Sequence, residues 1–345
     1  MITHLRSRPL AIAGAIALLV VLLVPLTSLD AAQSAGLPLI ANRLWFRLAI
    51  LMAMFVVLAS AWNLVGGLTG YAAFGNVAFF GLGAYAVGTL VVKFHVPFYV
   101  SLPAGLVLPA LFAILIGLPL LRLRGHYFAV ASLGVSVAVG ELINNTDQLG
   151  GSTGLFLPII ADDIVFFYLM TGAAALTVGT TWVVLRNRLG YGLIAIRENE
   201  DAAAVMGVNT TAYKVTAFAL SAGLTGLAGG VFAGYNGFVN QENVFPITFN
   251  VQMILMALLG GSGTVVGPII GAIGLQFLIQ GLSGGLAIPI PFLSDTARAV
   301  FAQVVLGLLL VVTVTFVPRG IVDFFGGTSK FSLAYFRRSL RETSV

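Results

Sequence analysis

The 345-residue sequence contains no cysteine, which excludes disulfides, thiolate nucleophiles and cysteine-based metal sites. Its three histidines, His4, His95 and His126, are far apart and show no metal-ligand spacing. Charge is scarce as well. Asp, Glu, Lys and Arg make up 8% of the chain, against about a quarter of an ordinary soluble domain. The glycine-rich run GGSGTVVG has no following Lys-Ser/Thr and cannot cradle a nucleotide phosphate in the P-loop manner. GLGAYAVG fails the dinucleotide spacing, and no Ser-His-Asp set can be drawn with any spacing logic. The apolar segments also lack the paired ionisable residues that proton-coupled carriers use as relays. A built-in catalytic centre or energy source therefore has no visible residues to carry it.

What the chain does have is apolar length. Hydrophobic residues make up 59% of it, outside the range of soluble globular domains and fitting an all-α integral membrane protein. A spanning helix needs about 20 mostly apolar residues. On that measure spans are predicted near 10–28, 45–65, 71–92, 98–121, 126–144, 164–185, 212–235, 250–262, 264–283 and 297–317, about ten in all (8–10), joined by short loops. The start, MITHLRSRPLAIAGAIALLVVLLVPL, resembles a signal peptide. Its apolar run is longer than a usual signal core and no clean cleavage site follows, so it is read as an uncleaved first span. The third span is glycine-rich and open to a break, and LLGGSGTVVGPIIG fits either a tight turn or a re-entrant pair.

The formal net charge of +5 reads as a topology signal before it reads as a nucleic-acid surface. With ten spans, thirteen of the 17 lysines and arginines fall on the N-terminal side of the bilayer. Arg43, Arg47, Lys93 and Arg298 fall on the other. The positive-inside rule then places both termini in the cytoplasm. The expected organisation is a cytoplasmic tail, first helix and outer loop over 1–44, a transmembrane domain over 45–325, and a basic cytoplasmic tail over 326–345. Ala222, Gly226, Gly230 and Gly234 recur every four residues, as do Gly263, Gly267 and Gly271. Small residues at that spacing let helices approach closely, either for tight packing or to let helices move past one another.

One stretch is unlike the rest. RENEDAAAVMGVN, residues 197–209, carries four charges in its first five residues. Asn199 suits a helix N-cap, and Glu200 and Asp201 suit the positive helix end behind it. Ala202, Val205 and Met206 form a short apolar stripe, and Gly207 suits the left-handed residue after the last turn. The reading is a two-turn helix held outside the bilayer, either a plain connector or a docking element with an apolar knob and a charged rim.

In this stretch the sequence resembles the coupling loop of ABC-importer permeases, and the surrounding text resembles the branched-chain amino acid permease family of the LivM type. The pieces are NLVGGLTGYAAFGNVAFFGLGAYAVG, LRLRGHYFAVASLG, GGSTGL, LRNRLGYGLIAIRENEDAAAVMGVNTTAYKVTAFALSAGLTGLAGG, LLGGSGTVVGPIIGA and PRGI, in order over about residues 50–325. The loop reads Glu-Asp-Ala-Ala rather than a strict Glu-Ala-Ala. The resemblance implies a permease subunit of a bacterial inner-membrane ABC importer, not itself an enzyme. Its partners would be a related LivH-type permease, two cytoplasmic ATPases that carry the ATP and Mg, and a periplasmic binding protein. It would bind no cofactor or metal of its own and no nucleic acid. Cargo would be branched-chain or other hydrophobic or neutral amino acids, or a small amide such as urea. Glu198, Asn199, Glu200, Asp201, Ala202, Ala203, Ala204, Val205, Met206 and Gly207 would form the ATPase-coupling loop, with Ala203 where the partner's groove leaves little room. Polar residues in or near spans that could line a pathway are Asn63, Asn76, Ser132, Ser136, Glu141 and Gln252, the plainer reading of each being helix–helix hydrogen bonding. The alternative is an ion-coupled secondary transporter, for which the glycine-rich third span is the supporting feature.

Overall fold

Backbone amides in hydrocarbon must be satisfied within their own segment, so apolar runs of this length fold as helices. The computed structural model describes residues 43–158, 162–283, 295–316 and Gly320. Its helices are α1 Arg43–Thr69, α2 Asn76–Phe94, α3 Phe98–Leu120, α4 His126–Asn144, α5 Asp163–Arg186, α6 Arg188–Glu198, α7 Glu200–Val205, α8 Thr210–Asn236, α9 Gln241–Val244, α10 Ile247–Gly260, α11 Val266–Leu282 and α12 Asp295–Phe316. Seven described segments are long and apolar enough to cross a membrane: most of α1, then α2, α3, α4, α5, α8, and α9 with α10 taken as Gln241–Gly260. Val266–Leu282 and Val300–Val311 are shorter apolar helices. The span expected near 10–28 and the tail 326–345 lie outside the described residues.

Two boundaries differ from expectation. The third span begins at Asn76 rather than 71, because Gly70 takes φ +75 and ends the helical run. The span expected at 250–262 begins earlier, at Gln241, is interrupted before Pro246, and stops at Gly260. Pro246, extended and without an N–H, stands at the N-cap of α10 and breaks the ladder from α9.

α8 packs against α3, α2, α1 and α5, and the four-residue ridge explains how. A Cβ on Gly226 would stand 2.3 Å from the Gly105 carbonyl oxygen of α3, and one on Gly83 of α2 would stand 2.0 Å from the Gly226 carbonyl oxygen. The three backbones touch where lipid supplies no drive for association and close packing must. Around them Phe79, Phe128 and Phe218 form edge-to-face pairs with centroids 5.1 and 6.3 Å apart, all buried.

The bundle has two ends. At one, α1 stops, α2 starts, and α6 and α7 lie between α5 and α8. At the other, β1 (Leu155–Phe156) and β2 (Phe238–Val239) pair antiparallel, joining the α4–α5 connection to the end of α8.

Candidate functional site

The charged stretch folds as two helices broken at Asn199. That residue is extended (φ −162°, ψ 109°), and its side chain accepts the Ala202 amide at 3.0 Å, capping α7. Gly207, two residues past the end of α7, takes φ +88, a conformation that strains any residue with a Cβ. Val208 donates its N–H back to the Ala203 carbonyl at 3.0 Å, closing the turn.

Its charges point back into the bundle. Arg197 donates to the Gly67 carbonyl at the end of α1, 3.0 Å away, and meets Glu198 at 3.3 Å. Glu200 accepts from Lys214 of α8 at 2.6 Å and from the Tyr71 hydroxyl at 2.5 Å. Asp201 takes both terminal nitrogens of Arg124, from the α3–α4 connection, at 2.9 and 3.2 Å, a bidentate geometry. The Lys214 side chain is 4% exposed and that of Glu200 16%; those of Arg124 and Asp201 are 62% and 75% exposed. The first pair is therefore sheltered and the second lies in solvent, where ion pairs contribute little.

Burial pushes the Glu200 carboxyl up, but hydrogen bonds from Lys214 and Tyr71 and the Lys214 charge hold it below the ordinary carboxylate value. Burial, followed by the bond to Glu200, pushes the Tyr71 phenol well above its ordinary value, so it stays a donor. The Arg124 guanidinium lowers Asp201.

These contacts correct the expected layout of the loop. Glu200 and Asp201 are not a free rim, because both are paired within the chain. Ala203 is 5% exposed, buried within the chain itself, which leaves no room for a partner's groove at that position. The exposed apolar surface is the stripe on the opposite side, with Val205 87% and Met206 84% exposed. Three residues that bind the loop went unnoticed as its partners in the sequence: Tyr71, Arg124 and Lys214. Only Lys214 left a signal there, as a cation in the first turn and a half of an apolar helix.

The pathway candidates do not form one line. Asn63 is fully buried and brackets the α10–α11 turn, donating to the Thr264 carbonyl at 2.8 Å and accepting the Gly263 amide at 2.7 Å. Asn76 donates to Ser221 at 3.0 Å. Ser132 accepts the Phe74 amide at 3.0 Å and donates to the Ala129 carbonyl at 2.8 Å. Ser136 is buried one turn further along α4. Glu141 lies exposed at the other end of the bundle, accepting from Gln241 at 2.9 Å. Gln252 is half-buried, and its side-chain oxygen has no partner among the described residues.

A family model described as the branched-chain amino acid transport system / permease component matches residues 44–314, from α1 into α12. The chain belongs to this family. The permease is 30% identical to the high-affinity branched-chain amino acid transport system permease protein LivM of Salmonella typhimurium and to that of Escherichia coli K12, over 68% of this chain and 63% of each relative. It thus spans just under two thirds of the length of those relatives. A shorter stretch, 29% of each chain, is 34% identical to the autoinducer 2 import system permease protein LsrC of Salmonella paratyphi B. A solved structure, PsaBC from Streptococcus pneumoniae in complex with Fab, aligns over 84% of the permease with 14% identity and a TM-score of 0.45, too low to carry an argument.

Proposed function

We propose that this permease is a membrane-spanning subunit of an ABC importer that moves branched-chain or other hydrophobic or neutral amino acids, or a related small amide. It pairs with a second, LivH-type permease, accepts cargo from a periplasmic binding protein, and is driven by two ATPases docked on the cytoplasmic face. In this reading it lies in the bacterial inner membrane with both termini cytoplasmic, and α7 is the coupling helix. ATP and Mg belong to the partner subunits. Of the pathway candidates, Gln252 and Asn76 each keep a side-chain oxygen without a partner among the described residues, while Asn63 and Ser132 are engaged in closing helix ends.

The observation that supports this best is the tip of α7. Val205 and Met206 stand almost fully exposed on a helix capped at both ends and tied down by ion pairs. A rigid apolar knob of that kind suits burial in a partner's cleft, where a few well-packed side chains carry most of the binding energy. The ion-coupled alternative leans on a break beside α2. The amides at that break are taken by Ser132 and Asn250, which is ordinary helix closure.

The test is the double variant Val205→Asp, Met206→Asp. Both side chains lie in solvent, so insertion and folding should be unchanged. Copurification of the ATPase should fall by at least tenfold and ATP-driven uptake should stop, as expected for removing a contact of about 2 kcal/mol or more. Retention of ATPase binding and uptake in the double variant would remove α7 as the coupling element.

A further inference from the structure

We propose that Tyr71, Glu200 and Lys214 form a transmission node that joins α7 to the start of α2, so that a displacement of α7 is delivered to that span through the non-helical segment 70–75. The effect on transport rests on the coupling reading of α7 given above; the mechanical link does not.

The node begins with Lys214. Its ammonium reaches Glu200 at 2.6 Å, the Leu121 carbonyl at the end of α3 at 3.0 Å and the Tyr71 hydroxyl at 3.2 Å. It also lies 4.7 Å from the centroid of the Tyr71 ring, within cation–π range. Its three donors are all engaged, which fixes it in place. Tyr71 also packs edge-to-face with Phe128 in α4, 5.2 Å between centroids. The carboxylate of α7, the phenol before α2 and the ammonium of α8 therefore cannot move independently.

From Tyr71 the chain runs into a joint. Residues 70–75 have no helical ladder of their own, and side chains from other helices replace it. Ser132 of α4 takes the Phe74 amide at 3.0 Å, and Asn250 of α10 takes the Val77 amide at 3.0 Å. Asn76 holds Ser221 of α8 at 3.0 Å. The joint is not saturated. Asn76 is fully buried and Asn250 1% exposed, yet Asn76 Oδ1 and Asn250 Nδ2 have no partner among the described residues. A spare acceptor and a spare donor at one helix start let it exchange partners, where a fully satisfied network would hold it rigid. α2 then runs the length of the bundle to the ribbon end, where Gly88 meets Leu155 and Lys93 donates to the Gln148 carbonyl. One span thus connects the base of α7 to the opposite end.

Hydrogen exchange on the purified full-length permease tests the link. Tyr71→Phe removes one hydroxyl and keeps the ring; Glu200→Gln removes the charge and keeps the shape. Exchange over residues 72–78, remote in sequence from Glu200, should speed by about tenfold in both, as local opening becomes easier. Glu198→Gln, whose one side-chain partner among the described residues is Arg197, should leave it unchanged. In the assembled importer the same two variants should hold the ATPase at the wild-type ratio, while substrate moved per ATP falls about tenfold. Unchanged exchange in both variants overturns the node. Faster exchange with unchanged transport per ATP overturns its role in transmission, leaving only a packing contact. A wild-type permease that held no ATPase would count against the coupling reading, and the exchange measurement would still decide the link itself.

Discussion

Where α1 stops and α8 starts, ion pairs and buried charge do the holding. Lys214, Glu200, Arg124, Asp201 and Arg197 join five separate elements there, and a helix with a bare apolar tip projects from them. At the opposite end, near β1 and β2, the work is done by backbone. Gly150, Gly151 and Gly154 turn the chain with positive φ, two-residue strands pair, and Asp162 caps α5 by accepting from the Ile164 and Val165 amides. The side-chain bond from Gln241 to Glu141 there is exposed. The difference teaches how one bundle can present a stiff handle at one end and an adaptable surface at the other. Directional charge pairs fix an element against force from outside, whereas short turns need only close on themselves.

The largest effect is expected from Lys214→Met, compared with Lys93→Met at the ribbon end. Removing Lys214 leaves Glu200 partly buried and unpaired and the Leu121 carbonyl without its donor. Breaking such a pair costs about 3 kcal/mol, read as a clear fall in thermal stability of the detergent-solubilised protein. Lys93 is exposed, and its loss should stay within about 0.5 kcal/mol. Equal effects would show that the two ends do not differ in how charge holds them.

A smaller effect is expected from Gly154→Ala. The residue sits at φ +73, and a Cβ there would stand 2.6 Å from the Val239 carbonyl oxygen. Strain of about 1–2 kcal/mol follows. It should loosen β1 against β2 and leave the exchange of α7 amides untouched. Loosening at α7 instead would mean that the two ends share one rigid frame.

Much of this was legible in the sequence. Hydropathy alone locates nine described helical segments, and the Asn199 cap and the Gly207 turn follow from residue type. The four-residue glycine spacing pointed to close backbone contact, which Gly226 and Gly83 make. The joint at 70–75 was hidden because Tyr-Ala-Ala-Phe is apolar, and a hydropathy window cannot tell an unwound apolar segment from a helix. Ala203 was misplaced for a related reason. Spacing identifies the faces of a short helix but not which face is buried against its own chain, and here Ala203 is on that face while Glu200 is sheltered by Lys214. Tyr71 and Glu200 are 129 residues apart, and no local pattern announces such a pair.

The smallest effect is expected from acid, and it separates the two ends by charge alone. Glu200 and Asp201 both have carboxyl groups held below their ordinary values. A group with a depressed folded value contributes stability that is fully present above its unfolded value, about 4, and lost as pH falls through the folded one. α7 should therefore stay fixed from neutral pH down to about 4 and loosen below it. The chain lacks cysteine, so single spin labels can be placed at exposed Ala204 on α7 and exposed Thr153 beside the ribbon. Mobility at Ala204 should rise below about pH 4 while Thr153 remains as it was. Arg124→Gln removes the partner that depresses Asp201 and with it that residue's hold on α7, so Ala204 should already be more mobile at neutral pH, and the change that remains below about pH 4 should come from Glu200. Salt should act in the same direction, because the Arg124–Asp201 pair is exposed and screened. Simultaneous loosening at both labels, at one pH and indifferent to Arg124, would mean that acid unfolds the bundle as a whole, and the contrast between its ends would then have no basis in ion pairing.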